Sequence, residues 1–221
     1  MIFVACSGFP VPVSRYWAEF PAVEIAETEL GMPGPGTVRR WMREAPEGYG
    51  FSLLVPKAII ESEFEASASN LGAVKEIASL GKKIKAQATV IAAPGDWKMT
   101  RARRTAVRNF AEALPARGGP FVLSLPWPTE EVRALTKGTS ATVAFDPLST
   151  KPAKEESFQY MRLPGPAGHR SRYDDTALEK IAGCVLQSKA EVVFCTFTNI
   201  DMFANAKRTI QLLQAAKKTS K

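Results

Sequence analysis

Eight short runs rich in Val, Ile and Phe punctuate the chain, and most of the intervals between them carry helix-period sequence. This alternation limits the fold more than any other feature. The runs are 2–7, 22–26, 50–55, 88–93, 121–125, 142–146, 157–163 and 191–198. Each ends at a Gly, a Pro or a polar breaker, and β-branched and aromatic residues fit a pleated surface. Segment 37–44 is followed by Pro46, 65–80 stops at Gly81, and 100–114 stops at Pro115. Segment 129–136 follows Pro128, with Thr129 as its N-cap and Glu130 and Glu131 in its first turn. Segment 174–187 has Asp174 as N-cap, and 202–217 ends in a basic tail. Strands alternating with helices predict a parallel sheet with crossover helices. Eight units over 221 residues predict a single α/β domain spanning 1–221, a (β/α)8 TIM-barrel-like fold with outer helices, at the short end of that class. A doubly wound open sheet is the alternative, but at this length it would normally hold fewer strands.

Strand parity adds a prediction about the site. Successive side chains in a strand point to opposite faces. In the second run Val23 and Ile25 share one face and Ala22, Glu24 and Ala26 the other. Thr142, Ala144 and Asp146 share a face in the sixth run; Phe158, Tyr160 and Arg162 do so in the seventh. The helix-facing side of a barrel strand takes large aliphatics, so Glu24 and Asp146 are expected to point inward. An inward Arg162 would need a partner, and Glu24 or Asp146 can supply it.

Composition excludes several classes. With 45% hydrophobic and 23% charged residues the balance is that of a globular protein. No run approaches the ~20 apolar residues of a membrane span. Residues 1–6 lack a basic n-region and do not read as a signal peptide. Cys6, Cys184 and Cys195 lie on apolar segments with no short pairing, which favours reduced thiols and a cytoplasmic location. A single histidine excludes the multi-histidine metal sites of hydrolytic barrels. No cofactor is indicated and no metal site is expected, although a carboxylate-bound magnesium stays open. The net charge of +7 is unevenly placed. Between residues 82 and 117 nine basic side chains, Arg117 the last of them, face only Asp96 and Glu112; between 19 and 65 nine glutamates face four bases. A polarised surface follows.

The chain also resembles a known family. Val23-Glu24-Ile25, Met32-Pro33, Thr37-Val38-Arg39-Arg40-Trp41, Pro46-Glu47-Gly48-Tyr49 with Phe51, Tyr160-Met161-Arg162-Leu163 with Gly165, Arg172-Tyr173 with Asp175 and Leu178, and Phe197 and Asn199 with Asn205-Ala206 are collinear. Together they are similar to the domain of unknown function 72 family, also called YecE-like; Ser7-Gly8-Phe9 is similar to its opening Ser-Gly-Trp. The resemblance implies a TIM-barrel-like fold and no settled activity; a nucleic-acid-processing or hydrolytic role is suspected for the family by fold analogy. The departures are chemical. Ala26-Glu27-Thr28-Glu29-Leu30 stands where the family has Asn-Ser-Thr-Phe-Tyr. Leu54 stands for a Lys, and Ile60-Glu61 for Thr-His. Ser124-Leu125-Pro126-Trp127 lacks the usual Glu, Arg and His, and Pro164 replaces the His of Arg-Leu-His-Gly. Such groups move protons or hold anions, so the resemblance implies a changed substrate or a lost ancestral activity.

Three candidate sites emerge. Arg162, Gly165, Gly168, His169, Arg170 and Arg172 crowd the loop after the seventh run, where barrels often cradle a phosphate; glycines let backbone N–H groups approach an anion and arginines fork onto its oxygens. A solvated basic loop has the same composition. Glu24, Asp146 and Asn199 lie near strand ends and are candidates for acid–base chemistry, or for a structural ion pair with Arg162. Trp127 and Phe197 would line the pocket or belong to the core. Arg101, Arg104 and Arg108 fall at i, i+3 and i+7 on one helix and, with Lys98 and Arg103, form a positive stripe able to track phosphates weakly but without interleaved aromatics for base stacking. Two functions compete: a small anionic or phosphorylated ligand at the C-terminal mouth of a diverged hydrolase, or non-catalytic binding of nucleic acid to the basic face.

Overall fold

In the computed structural model, which describes residues 1–115, 120–151 and 157–219, all eight runs form strands. They are β1 Ile2–Ser7, β2 Ala22–Ile25, β3 Gly50–Leu54, β4 Ala88–Ala92, β5 Phe121–Ser124, β6 Ala141–Val143, β7 Phe158–Leu163 and β8 Val192–Phe197. Arg117 and the 152–156 part of the loop before β7 lie outside the described residues. The strands form one parallel sheet in the order β6-β5-β4-β3-β2-β1-β8-β7, and the fold is (β/α)8 TIM-barrel-like. The doubly wound alternative is thereby excluded.

The helices are α1 Val13–Glu19, α2 Pro35–Glu44, α3 Ala58–Glu61, α4 Ala68–Ile84, α5 Arg101–Ala113, α6 Thr129–Thr136, α7 Asp175–Gln187 and α8 Met202–Thr219. The short α1 and α3 escape sequence reading because two turns or fewer carry little periodicity. Helix α4 does not stop at Gly81, which lies inside it; the helix ends where Lys85 turns left-handed at φ 57°. Its start is capped by Ser67, whose side chain accepts from the Asn70 N–H. Asp174 caps α7 as expected, Oδ1 accepting from Ala177 N at 2.7 Å. Thr129, by contrast, is the first helical residue of α6. The extended Pro128 takes the N-cap position, and no side chain caps this end.

The chain divides into two compact units, Met1–Glu24 with Pro46–Tyr49 and Phe145–Lys221, and Ile25–Ala45 with Gly50–Ala144. In the first, β1 pairs with β2 and β8, and β8 with β7. Partners Ser7↔Glu24, Ala5↔Ala22, Ala5↔Thr196 and Arg162↔Thr196 put these residues on one face, with Phe3, Phe194 and Tyr160 earlier in the same rows. The small Ala5, Ser7 and Ala22 leave that face room for Tyr160 and Arg162. The opposite face carries Val4, Cys6, Met161, Cys195 and Phe197, all buried. Tyr160 stacks on Phe194 at 5.2 Å between ring centres. In the second unit β3 to β6 pair in sequence. Its core joins Ile59, Phe64, Trp97, Phe110, Leu123 and Trp127.

Candidate functional site

The first unit brings four side chains of the small-residue face together near the C-terminal ends of β2, β7 and β8. Glu24 is fully buried. Its Oε2 accepts from the Tyr160 hydroxyl at 2.8 Å and from Arg162 Nε at 3.2 Å, and its Oε1 accepts from Arg162 Nη2 at 3.1 Å. Thr196 Oγ1 donates to the Tyr160 oxygen at 3.1 Å. Taking a carboxylate and a guanidinium out of water is costly unless geometry and added hydrogen bonds compensate; here the side-on fork and the tyrosine supply them. Arg162 is the outlet of the cluster, its side chain 17% exposed. A carboxylate with both oxygens occupied by donors is arranged to hold a cation rather than to take a proton from a ligand. Glu24 thus positions Arg162. Tyr160 and Thr196 were missed as site residues, although parity already put Tyr160 beside Arg162.

The loop after β7 is knitted to the loop after β8. Gly165 adopts φ +101° and Gly168 φ +89°, a region L side chains rarely enter. The Gly165 N–H donates to the Tyr173 hydroxyl at 2.9 Å, the Gly168 N–H to Gly165 O at 3.1 Å, and the Ala167 N–H to Ser171 Oγ at 2.9 Å. The two glycines thus shape the turn, and their amides serve the loop itself. Asn199, fully buried, donates from Nδ2 to Ser171 O at 3.0 Å and accepts at Oδ1 from Asn205 at 3.2 Å. Arg172 pairs with Asp201 at 2.7 Å. His169 Nδ1 lies 2.7 Å from Thr198 O, and Arg170 is exposed.

The remaining predicted residues sit elsewhere. Asp146 Oδ1 accepts from Leu148 N at 2.9 Å in the turn after β6, and burial raises its carboxyl above the usual range. Its charge is felt at Tyr173 and Cys195, both pushed up chiefly by burial. Beyond β6, which ends at Val143, Phe145 bridges Met161 of β7, its N–H donating to Tyr160 O at 3.1 Å. Phe197 is core, edge-on to Tyr173 at 5.8 Å. Trp127 is core in the second unit, stacked on Trp97 at 4.8 Å and donating from Nε1 to Trp97 O at 2.9 Å.

The basic stripe lies on α5 of the second unit. A shallow groove of about 520 Å³ runs beside it, lined by Arg101, Arg104, Arg108, Thr105, Met99 and Leu135 among others. Arg104 pairs with Glu131 at 3.0 Å and Arg108 with Glu112 at 2.6 Å, and Arg108 Nη1 also donates to Leu135 O and Lys137 O, both at 2.9 Å. Lys98 gives its carbonyl to Arg103 at 2.9 Å. Among the described residues no three His, Cys, Asp or Glu side chains gather as a metal site, and no helix is long and apolar enough to cross a membrane.

Comparison with solved structures shows the same fold. A DUF72 family protein of Enterococcus faecalis V583 is similar at a TM-score of 0.74 and 18% identity, over 98% of each chain. One from Thermotoga maritima MSB8 reaches 0.72 at 15% identity, over 97% of this chain and 99% of that one. A xylose isomerase domain protein of Alicyclobacillus acidocaldarius reaches 0.57 at 11% identity, over 98% of this chain and 100% of that one. No curated protein matches the sequence. Residues 12–221 match the family described as "Protein of unknown function DUF72". The chain therefore belongs to the DUF72 family.

Proposed function

We propose that the protein binds a small anionic ligand, phosphorylated or of similar charge, at the C-terminal strand ends of its first unit, in the cytoplasm. The observation that carries this reading is the Glu24–Arg162 pair. An arginine is held side-on by a fully buried carboxylate while its side chain stays 17% exposed. That arrangement fixes a guanidinium at a strand end, where barrels of this class bind their ligands, and next to a loop that adds the exposed His169 and Arg170. Binding is better supported than hydrolysis, because Glu24 is occupied by Tyr160 and Arg162. The test is calorimetric titration with inorganic phosphate and simple phosphate monoesters, comparing wild type with Arg162→Lys and Arg170→Ala. A charge-assisted hydrogen bond is worth about 1.5–3 kcal/mol, so Arg170→Ala should weaken binding roughly tenfold or more. Silence of the wild type at millimolar ligand removes the reading.

The groove along α5 favours a second reading, weak and salt-sensitive association of nucleic acid with the basic face. The carboxylates already on Arg104 and Arg108 offset part of its charge. Arg101→Ala/Arg104→Ala/Arg108→Ala should lower both affinity and its salt slope; unchanged binding of a short single strand removes α5 from the account.

A further inference from the structure

The turn after β2 holds a leucine out in solvent. Glu27–Glu29 form a single 3-10 turn, and Leu30 is its C-cap. Thr28 is fully buried, its hydroxyl shared between Ile25 O at 2.9 Å and Leu54 O at 2.6 Å. The N–H groups of Glu29, Leu30 and Gly31 donate to the carbonyls of Ala26, Glu27 and Thr28 at 3.0, 3.1 and 3.3 Å, and Lys57 N donates to Glu29 O at 3.0 Å. The turn is thus pinned to β2 and to the segment after β3. Leu30 nevertheless stands 82% exposed, with Met32 also exposed just beyond it. A leucine on a loose tip can fold back; a pinned backbone keeps this one displayed. Side chains at i and i+3 of a 3-10 helix eclipse, so Leu30 and the exposed Glu27 share one side of the turn.

The groove on α5 calls for the complementary pair of groups. Its walls are fixed, because Arg108 donates to Leu135 O and Lys137 O at the end of α6 and Arg104 pairs with Glu131. Met99, 38% exposed, and the half-buried Leu135 give it apolar surface, which the arginine stems extend. Arg101 is exposed, and among the described residues it has no ion pair. An occupant therefore brings one apolar side chain for the floor and one carboxylate for the rim. A nucleic-acid strand brings bases instead, and no aromatic ring is among the described residues that line the groove to stack them. We propose that the α5 groove is a self-association site that takes the Glu27–Leu30 turn of a second copy of this chain, with Leu30 on Met99 and Leu135 and Glu27 on Arg101. The inference is independent of the anion site and competes with the nucleic-acid reading of the same groove. Turn and groove both belong to the second unit, and every copy carries both, so the contact either closes reciprocally or repeats head to tail. An apolar centre with a charged rim is the usual build of such a contact, and its small area makes it a weak one.

Sedimentation velocity of the full chain, freed of nucleic acid by nuclease and a high-salt wash, reads the association directly. The mean mass of wild type should rise between about 5 µM and about 0.5 mM, the range in which a small contact becomes populated. Leu30→Asp, Arg101→Glu and Glu27→Arg alter exposed side chains, so each should melt with the wild type. Each should weaken association roughly tenfold or more. Glu27→Arg/Arg101→Glu should return to within a few-fold of wild type, because exchanging the charges keeps the pair. Leu30→Asp keeps the groove and Arg101→Glu keeps the turn, so an equimolar mixture should form pairs that neither forms alone. Wild type that stays monomeric at the highest concentration, or association that survives Leu30→Asp, overturns the proposal. Failure of both the exchanged double variant and the mixture to associate overturns it too. A short single strand that binds a monomeric wild type and is lost in Arg101→Glu assigns the groove to nucleic acid instead.

Discussion

Removing Arg162 should expose how the first unit tolerates a buried carboxylate. In Arg162→Met, Glu24 keeps the Tyr160 hydroxyl at 2.8 Å but loses the donors at 3.2 and 3.1 Å. Breaking a buried pair typically costs about 3–5 kcal/mol, because the remaining charge is left uncompensated. The retained tyrosine and the 17% exposure of the arginine side chain place this case at the lower end, about 3 kcal/mol. Glu24→Leu should cost less, about 2 kcal/mol, since the released guanidinium can reach water along its stem and the main loss is an acceptor for Tyr160. The double variant Glu24→Leu/Arg162→Met should be no worse than Arg162→Met alone, giving a coupling of about 2 kcal/mol or more. The assay is urea unfolding followed by tryptophan fluorescence at neutral pH, read as a shift in midpoint at constant slope. Single costs that add to within about 0.5 kcal/mol in the double variant, or an Arg162→Met cost below about 1 kcal/mol, would refute the argument that the pair acts as a unit.

Three further outcomes follow from named contacts. Gly165→Ala puts a Cβ closer to Gly168 O than real Cβ atoms come, and 2.5 Å from Ser171 Oγ, at φ +101°; it should lower stability by about 2 kcal/mol or more, and a melting temperature equal to wild type would contradict the tight turn. Burial pushes the Cys6 thiol up to about 12 and raises Cys195 as well, so iodoacetamide at pH 8 should label the half-buried Cys184 in the native protein and all three cysteines in urea; mass spectrometry finding Cys6 labelled as fast as Cys184 would show the thiol is accessible. Elemental analysis of the purified protein should find no stoichiometric zinc or iron, because the ligand types those ions need are sparse and scattered.

The fold was readable because its signal is local and repeated. Most strands are buried on both faces, so their runs of Val, Ile and Phe stand out against polar neighbours, and errors at single ends, such as Gly81 inside α4 or Pro128 before Thr129, do not disturb the alternation. Parity within β2 put Glu24 inward and left it, with Asp146, as a partner for an inward Arg162; the structure pairs Arg162 with Glu24. Asp146 is a different case: it lies beyond the last residue of β6, in a turn whose Leu148 N–H its Oδ1 accepts, a contact that strand parity does not describe.

What escaped the sequence is what depends on pairing across distance. Composition counts the arginines of α5 as a stripe, but Glu131 comes from α6, and only the packing of the two helices shows that Arg104 is already answered. Trp127 looks the same in sequence whether it lines a pocket or stacks on Trp97, thirty residues away. The glycines of the β7 loop suggested amides turned toward an anion; the Tyr173 hydroxyl, supplied from beyond the turn, receives the first of those amides instead. With the Gly165, Ala167, Gly168 and Ser171 amides engaged within the turn and by Tyr173, side chains such as those of Arg162 and Arg170 are left as the groups through which this loop would hold an anion.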